Sequence, residues 1–268
     1  MDNIDNQKIK FSKYHGAGND FVMVNALSVP FVASEEEIFQ ICHRRTGIGA
    51  DGLIVVMPSD KFDFRMKYYN CDGRESTFCG NGGRCVAAFA FEEKIASEHI
   101  VYEAIDGIHE AFVNKISEKE FTVSLSMHDV SSYKLNDNSL LINTGSPHYV
   151  TRVENLKDYD VVKNGSSIRY NKNISADGVN VDFMELIDGQ YNIRTYERGV
   201  EDETLACGTG VTASAIAASL WHGGDDINIK TTLATLNVKF QKKDNTFINI
   251  LLTGPATHVC DGFYLIGK

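Results

Sequence analysis

The segment CGNGGRCVAAFA, which starts at Cys79, returns 128 residues later as CGTGVTASAIAA at Cys207. Four more pairs keep the same order: DFV at 20–22 with HYV at 148–150, ADGLIVV from Ala50 with ADGVNVD from Ala176, MKYYN from Met66 with IRTYE from Ile193, and FTVSLSM from Phe121 with FINILLT from Phe247. All five offsets lie between 126 and 128. Solenoid units repeat at roughly 20–50 residues, so this spacing marks a duplicated domain. Whatever fold the first half adopts, the second half must be able to adopt it too.

Within each half the local signals alternate between strand and helix. FVMV, LIVVM, FDFRMKYY, HIVYEAI, IHEAFV and FTVSLSM are short, rich in β-branched and aromatic residues, and bounded by Gly, Asn or Asp, as strands are. The second half offers HYVTRV, VNVDFMEL, QYNIRTYE, DINIKTT, TLNVKFQ and FINILLT. Residues 82–93 and 210–221 predict one helix per half, small or apolar on every side and therefore central to a core. SEEEIFQICHRR predicts a third, amphipathic helix with an acidic start. The fold class is α+β: two pseudo-symmetric repeat domains, each a curled, mainly antiparallel sheet around a central buried helix.

Composition narrows the function classes. With 43% apolar and 23% charged residues, the 268-residue chain can build real cores. A net charge of −10 and the lack of a Lys- or Arg-rich run argue against a nucleic-acid partner. No apolar run is long enough to span a bilayer, and MDNIDNQKIK lacks the apolar segment of a signal peptide, so a soluble cytoplasmic protein is expected, with no membrane partner. Cys42, Cys71, Cys79, Cys85, Cys207 and Cys260 would then be reduced thiols. No C-x-x-C occurs, which removes the usual mark of a zinc knuckle or redox pair.

Asn81 and Thr209, 128 residues apart and flanked by glycine, predict matching helix N-caps. Cys79 and Cys207 would sit just ahead of the first turn, where free amides and the helix dipole favour thiolate and can bind a carboxylate. Duplicated domains often pack about a pseudo-twofold axis, and matched thiols could then face one small space in the cleft between the halves. Such a pair suits proton removal on one face of a carbon and return on the other. Cys85 and Cys42, on predicted helices, read as core. Cys71 and Cys260 have no repeat partner and receive no role. A packing relic, a disulfide, or a thiol redox or metal-binding protein are the bland alternatives for the repeated pair.

These segments carry a resemblance. FSKYHGAGNDFVMV, RRTGIGADGLIVV, YNCDGRESTFCGNGGRC, NTGSPHYV, GVNVDFM, RTYERGVEDETLACGTG and LLTGPATHV resemble, in order, the segments of the diaminopimelate epimerase family. The resemblance implies interconversion of LL- and meso-2,6-diaminopimelate, an amino-acid epimerase reaction on the route to lysine and cell wall. It implies Cys79 and Cys207 as the acid–base groups, without pyridoxal phosphate or metal. It places the backbone amides of Gly80, Asn81, Gly208 and Thr209 on the reacting carboxylate, and Asn19, Asn70, Asn180, Glu197 and Arg198 on the distal end of the substrate. There Arg198 can fork to the carboxylate and Glu197 can pair with the ammonium. His148 belongs near the site. The expected assembly is a homodimer. The architecture implied runs 1–130 plus 256–268 for the first domain, with HVCDGFYLIGK returning to it, and 131–255 for the second. Gly52, Ser146 and Cys71 depart from the family pattern, at positions where glutamine, asparagine and a small non-thiol residue are common. A proline racemase-like enzyme for another amino acid on the same scaffold is the rival reading.

Overall fold

The computed structural model describes residues 7–266. The start of MDNIDNQKIK and the last two residues of HVCDGFYLIGK lie outside the described residues. In chain order the elements are β1 (Gln7–Gly16), β2 (Asn19–Asn25), α1 (Glu35–Cys42), β3 (Gly52–Met57), β4 (Phe64–Asn70), α2 (Gly80–Glu92), β5 (His99–Ala104), β6 (Gly107–Lys115) and β7 (Glu120–Ser126). They continue as β8 (Tyr133–Leu135), β9 (Ser139–Asn143), β10 (Pro147–Arg152), α3 (Val161–Arg169), β11 (Asn180–Ile187), β12 (Gln190–Glu197), β13 (Asp202–Thr204), α4 (Gly208–His222), β14 (Asp226–Lys230), β15 (Thr235–Lys243) and β16 (Thr246–Ile266). Two compact units result, one reaching Leu125 and resuming at Pro255, the other spanning Ser126–Gly254.

In the first unit the strands follow one another from β1 to β7, and β16 hydrogen-bonds to both β7 and β1, which closes the sheet into a ring. From β1 to β7, and between β1 and β16, the pairings are antiparallel except β2–β3 and β4–β5. The second unit repeats this. Its order is β16–β15–β14–β12–β11–β10–β9–β8, with β10–β11 and β12–β14 parallel. An isolated bridge pairs Val130, ahead of β8, with Phe247 of β16.

Alternation along the strands explains the two-sided burial. Val22, Val24, Leu53 and Val55 pack with Ile38 and Ile41 of α1. Their neighbours Phe21, Met23, Ile54 and Val56 are equally buried, and a Cβ on Gly82 of α2 would meet Phe21 and Ile54. Strands covered on both faces read as unbroken apolar runs, as FVMV and LIVV do. In the second unit Val181 and Phe183 form a cluster with Val161, at the start of α3, while Val150 and Met184 pack with α4.

The sequence reading located α1, α2 and α4 and missed α3, whose run VVKNGSSIR is poor in helix formers. Packing overrides propensity there. A Cβ on Gly165 would lie 2.4 Å from that of Tyr196, so only glycine lets α3 rest on β12. Asp160 caps it by accepting from the Lys163 amide. The sequence reading also missed β1, β8, β9 and β13.

Candidate active site

Both cysteines stand at helix starts, in extended backbone, as the N-cap residues of α2 and α4. The expected caps Asn81 and Thr209 are instead the second helical residues, and neither helix has a side-chain cap bond. The cause is visible in their partners. Each side chain is turned to a polar group of its own unit, so the first-turn amides of Gly80, Asn81, Gly208 and Thr209 are left in the position where helix N-termini hold anions.

In the first unit the Cys79 thiol lies 3.5 Å from Asn19 Oδ1 and donates to it. Asn81 Nδ2 donates to the same oxygen at 3.3 Å. Asn19 Nδ2 in turn donates to Asp51 at 2.8 Å. Behind it Asp20 pairs with Lys13 and Arg44, whose bonds overcome the effect of burial and hold its carboxyl at about 2. Asn19 is thus held at both ends. Asn70 ends β4 opposite Gly52 and is exposed. At Gly52 a side chain has no room, since a Cβ would fall 2.5 Å from the Tyr69 carbonyl oxygen and 2.6 Å from the Tyr68 ring. Cys71 and Cys260 are exposed. Cys42 and Cys85 are buried, and burial pushes the Cys42 thiol up to about 12 and raises that of Cys85 as well.

In the second unit the Cys207 sulfur lies 3.3 Å from the Thr209 hydroxyl, which lies 2.8 Å from His148 Nε2. His148 Nδ1 meets Asp182 Oδ2 at 2.7 Å, and the Thr195 hydroxyl donates to Asp182 Oδ1 at 2.7 Å. His148 and Asp182 are both wholly buried. Burial alone would lower the imidazole, but the Asp182 carboxylate and the neighbouring Cys207 outweigh it and raise it well above its usual range. Burial is also the first effect on Cys207. It raises the thiol, Glu197 adds to the rise, and His148 opposes it. The helix start alone predicts a lowered thiol; desolvation reverses that expectation here.

Asn180 donates to the Pro147 carbonyl and contacts His148 Nε2, each at 3.3 Å, and accepts from the Arg198 backbone amide at 2.8 Å. That last bond fixes the turn carrying Glu197 and Arg198. Burial raises the Glu197 carboxyl. Cys207, Gly208, Thr209, Asn180 and Arg198 therefore form one polar neighbourhood, as Cys79, Gly80, Asn81 and Asn19 do in theirs.

Asp182 and Thr195 escaped the sequence reading. The signal was available in strand alternation: Asn180, Asp182 and Met184 share one face of β11, and a Cβ on Gly210 of α4 would strike Asp182 Oδ1 at 2.4 Å. The repeat register hid it. DFV matched to HYV equates Asp20 with His148, yet ladder register pairs Phe21 with Gly52 and His148 with Asn180. Phe21 is the true counterpart of His148, and a one-residue slip moves every side chain to the other face.

Comparison with known families adds the identity of the scaffold. A family model described as diaminopimelate epimerase matches residues 11–130 and again 140–259. The chain belongs to the diaminopimelate epimerase family. A diaminopimelate epimerase of Flavobacterium psychrophilum is 44% identical over 94% of this chain and 98% of its own length. That of Chlorobaculum tepidum is 40% identical over 92% and 98%, and that of Archaeoglobus fulgidus 36% identical over 97% and 98%. Among solved structures, a Bacillus anthracis phenazine biosynthesis protein of the PhzF family superposes with a TM-score of 0.74 at 17% identity, covering 97% of this chain and all of that one. A hydroxyproline epimerase from Agrobacterium vitis gives 0.69 at 14%, covering 97% and 93%. At those identities the likeness is one of fold. Members of the diaminopimelate epimerase family thus share a scaffold with a wider group of structures, and the chemistry must be argued from the site.

Proposed function

We propose that this chain is an isomerase that interconverts LL- and meso-2,6-diaminopimelate by proton transfer at the α-carbon, with Cys79 and Cys207 as its two acid–base groups and no cofactor. What carries the reading is the pair of matched cysteine N-caps in a chain of this family. One sulfur, as thiolate, takes the α-proton; the electron pair left on carbon delocalises into the adjacent carboxylate. The other sulfur, as thiol, returns a proton to the opposite face, and configuration inverts. The sulfurs exchange protonation states in each turnover, so each must serve in both roles. Amides of Gly80, Asn81, Gly208 and Thr209 would stabilise the charge building on the carboxylate. Asn19, Asn70, Asn180, Glu197 and Arg198 would hold the distal end, and a substrate without it would leave those polar groups unpaired.

The reaction fits the formation of lysine and peptidoglycan precursors. Two functional thiols need a reducing compartment, which supports a cytoplasmic location. No helix among the described residues is long and apolar enough to cross a membrane. The resemblance supports a homodimer, and sedimentation would test it. The function is tested by proton exchange in deuterated water. Exchange at the α-carbon of diaminopimelate with none at proline is the expected result. Exchange with proline and none with diaminopimelate would move the chain to the proline racemase-like reading.

A further inference from the structure

Arg84 lies in the second turn of α2 and has no exposed surface. Its Nη2 donates to Asn81 Oδ1 at 2.8 Å, and longer contacts of 3.4 Å reach the carbonyl oxygens of Gly80 and Pro255. All three partners are neutral, and among the described residues no carboxylate forms an ion pair with it. A buried cation normally comes with its counter-charge. The second unit obeys this: its buried His148 faces Asp182 at 2.7 Å, and the residue 128 positions after Arg84 is Thr212, whose hydroxyl donates to the Gly208 carbonyl at 3.0 Å.

The direction of the hydrogen bonds leads from Arg84 to the thiol. A guanidinium can only donate. Asn81 must therefore turn Oδ1 to Arg84 and Nδ2 to Asn19 Oδ1, the oxygen that also faces Cys79. The end of β1 seals the group in, since a Cβ on Gly16 would come within 3.0 Å of the Asn81 carbonyl oxygen and 3.4 Å of Arg84 Nη2. The other ionisable groups around Arg84 do not supply an anion. Cys85 on α2 and Tyr102 on β5 are both driven towards their neutral forms by burial. Cys79 remains.

We propose that Arg84 is a positioning residue for the Cys79 end of the site: its buried guanidinium aligns the Asn81 and Asn19 amides and supplies the positive potential that stabilises negative charge at Cys79. The proposal rests on the assignment of Cys79 as an acid–base group, and it extends that assignment to a residue that touches no substrate. The two helix-start thiols, Cys79 and Cys207, are then supported by different cations, Arg84 for one and His148 for the other.

The test is the pH dependence of iodoacetamide alkylation at Cys79, followed peptide by peptide, in wild type, Arg84→Met and Arg84→Lys. Arg84→Met should raise the Cys79 midpoint by about one pH unit, a roughly tenfold slower alkylation near neutral pH. Arg84→Lys should recover part of that shift, and Cys207 should titrate as in wild type. An unchanged Cys79 midpoint in folded Arg84→Met would overturn the proposal. Should Arg84→Met fail to fold, wild-type protein labelled with 15N-arginine carries the test. The Arg84 Nε–H resonance should move with the Cys79 midpoint and stay still in Cys79→Ala; a resonance indifferent to Cys79 ionisation would overturn it. Neither readout needs turnover. Failure here is therefore separate from failure of the epimerase reading, which active Cys79→Ser would signal.

Discussion

Beneath the first turn of α2 lie Phe21 and Ile54; beneath the first turn of α4 lie His148 and Asp182. The backbone frame is the same: a strand pair in parallel register, a helix starting at cysteine, and glycine at the third helical position, Gly82 or Gly210. One copy fills the space below the glycine with hydrocarbon, and the other with a buried ion pair. The fold therefore sets where each thiol stands, and a few inward-facing side chains set what surrounds it. Duplication supplies two matched helix starts, each with a cysteine at its N-cap. Divergence then gives each thiol its own electrostatic support.

The largest expected effect falls on both copies alike. Cys79→Ser and Cys207→Ser should each lower kcat by about 10²–10⁴-fold, the usual worth of general acid–base catalysis, with the thermal midpoint nearly unchanged. A full-rate variant at either position would break the pairing of the two copies.

Asp182→Asn should sharpen the contrast. Removing one partner of a buried ion pair costs about 3–5 kcal/mol. Because Asp182 raises His148 to about 10 from 6.5, this pair's contribution is fully present below pH 6.5 and is lost as pH rises through 10. The gap in unfolding free energy between wild type and Asp182→Asn should be widest on the acid side and close as the pH approaches 10. A gap independent of pH would mean that His148 is neutral in the folded protein.

A smaller effect separates the two glycines. Gly210→Ala forces a Cβ to within 2.4 Å of the pinned Asp182 carboxylate, whereas Gly82→Ala meets only the mobile end of Ile54 at 2.9 Å. Urea unfolding should show Gly210→Ala destabilised by about 1–3 kcal/mol, as overpacking typically is, and Gly82→Ala by less. The smallest effect concerns the expected lack of a metal: dialysis against EDTA should leave the epimerisation rate as it was.

Much of this arrangement was legible in the residues because it depends on local rules. β-branched runs between Gly and Asn announced most strands, and the recurrence at Cys79 and Cys207 announced the two helix starts. What stayed hidden depends on contacts distant in sequence. α3 forms because Gly165 fits against Tyr196, and Asp182 matters because α4 brings Gly210 over it. The caps were misread because Asn81 and Thr209 are bound by Asn19, Arg84 and His148, residues that folding brings from elsewhere in the chain. Burial, which raises the Cys207 thiol, likewise comes from packing between distant segments.

The central claim is that two different groups handle the proton on the two faces of one carbon. It is tested most directly by starting from LL-diaminopimelate in deuterated water and measuring, at early times, the isotope at the α-carbon of both species. The account predicts deuterium in the meso product and none in the remaining LL substrate. Product that retains the substrate's own proton would show a single base serving both faces, and would contradict it.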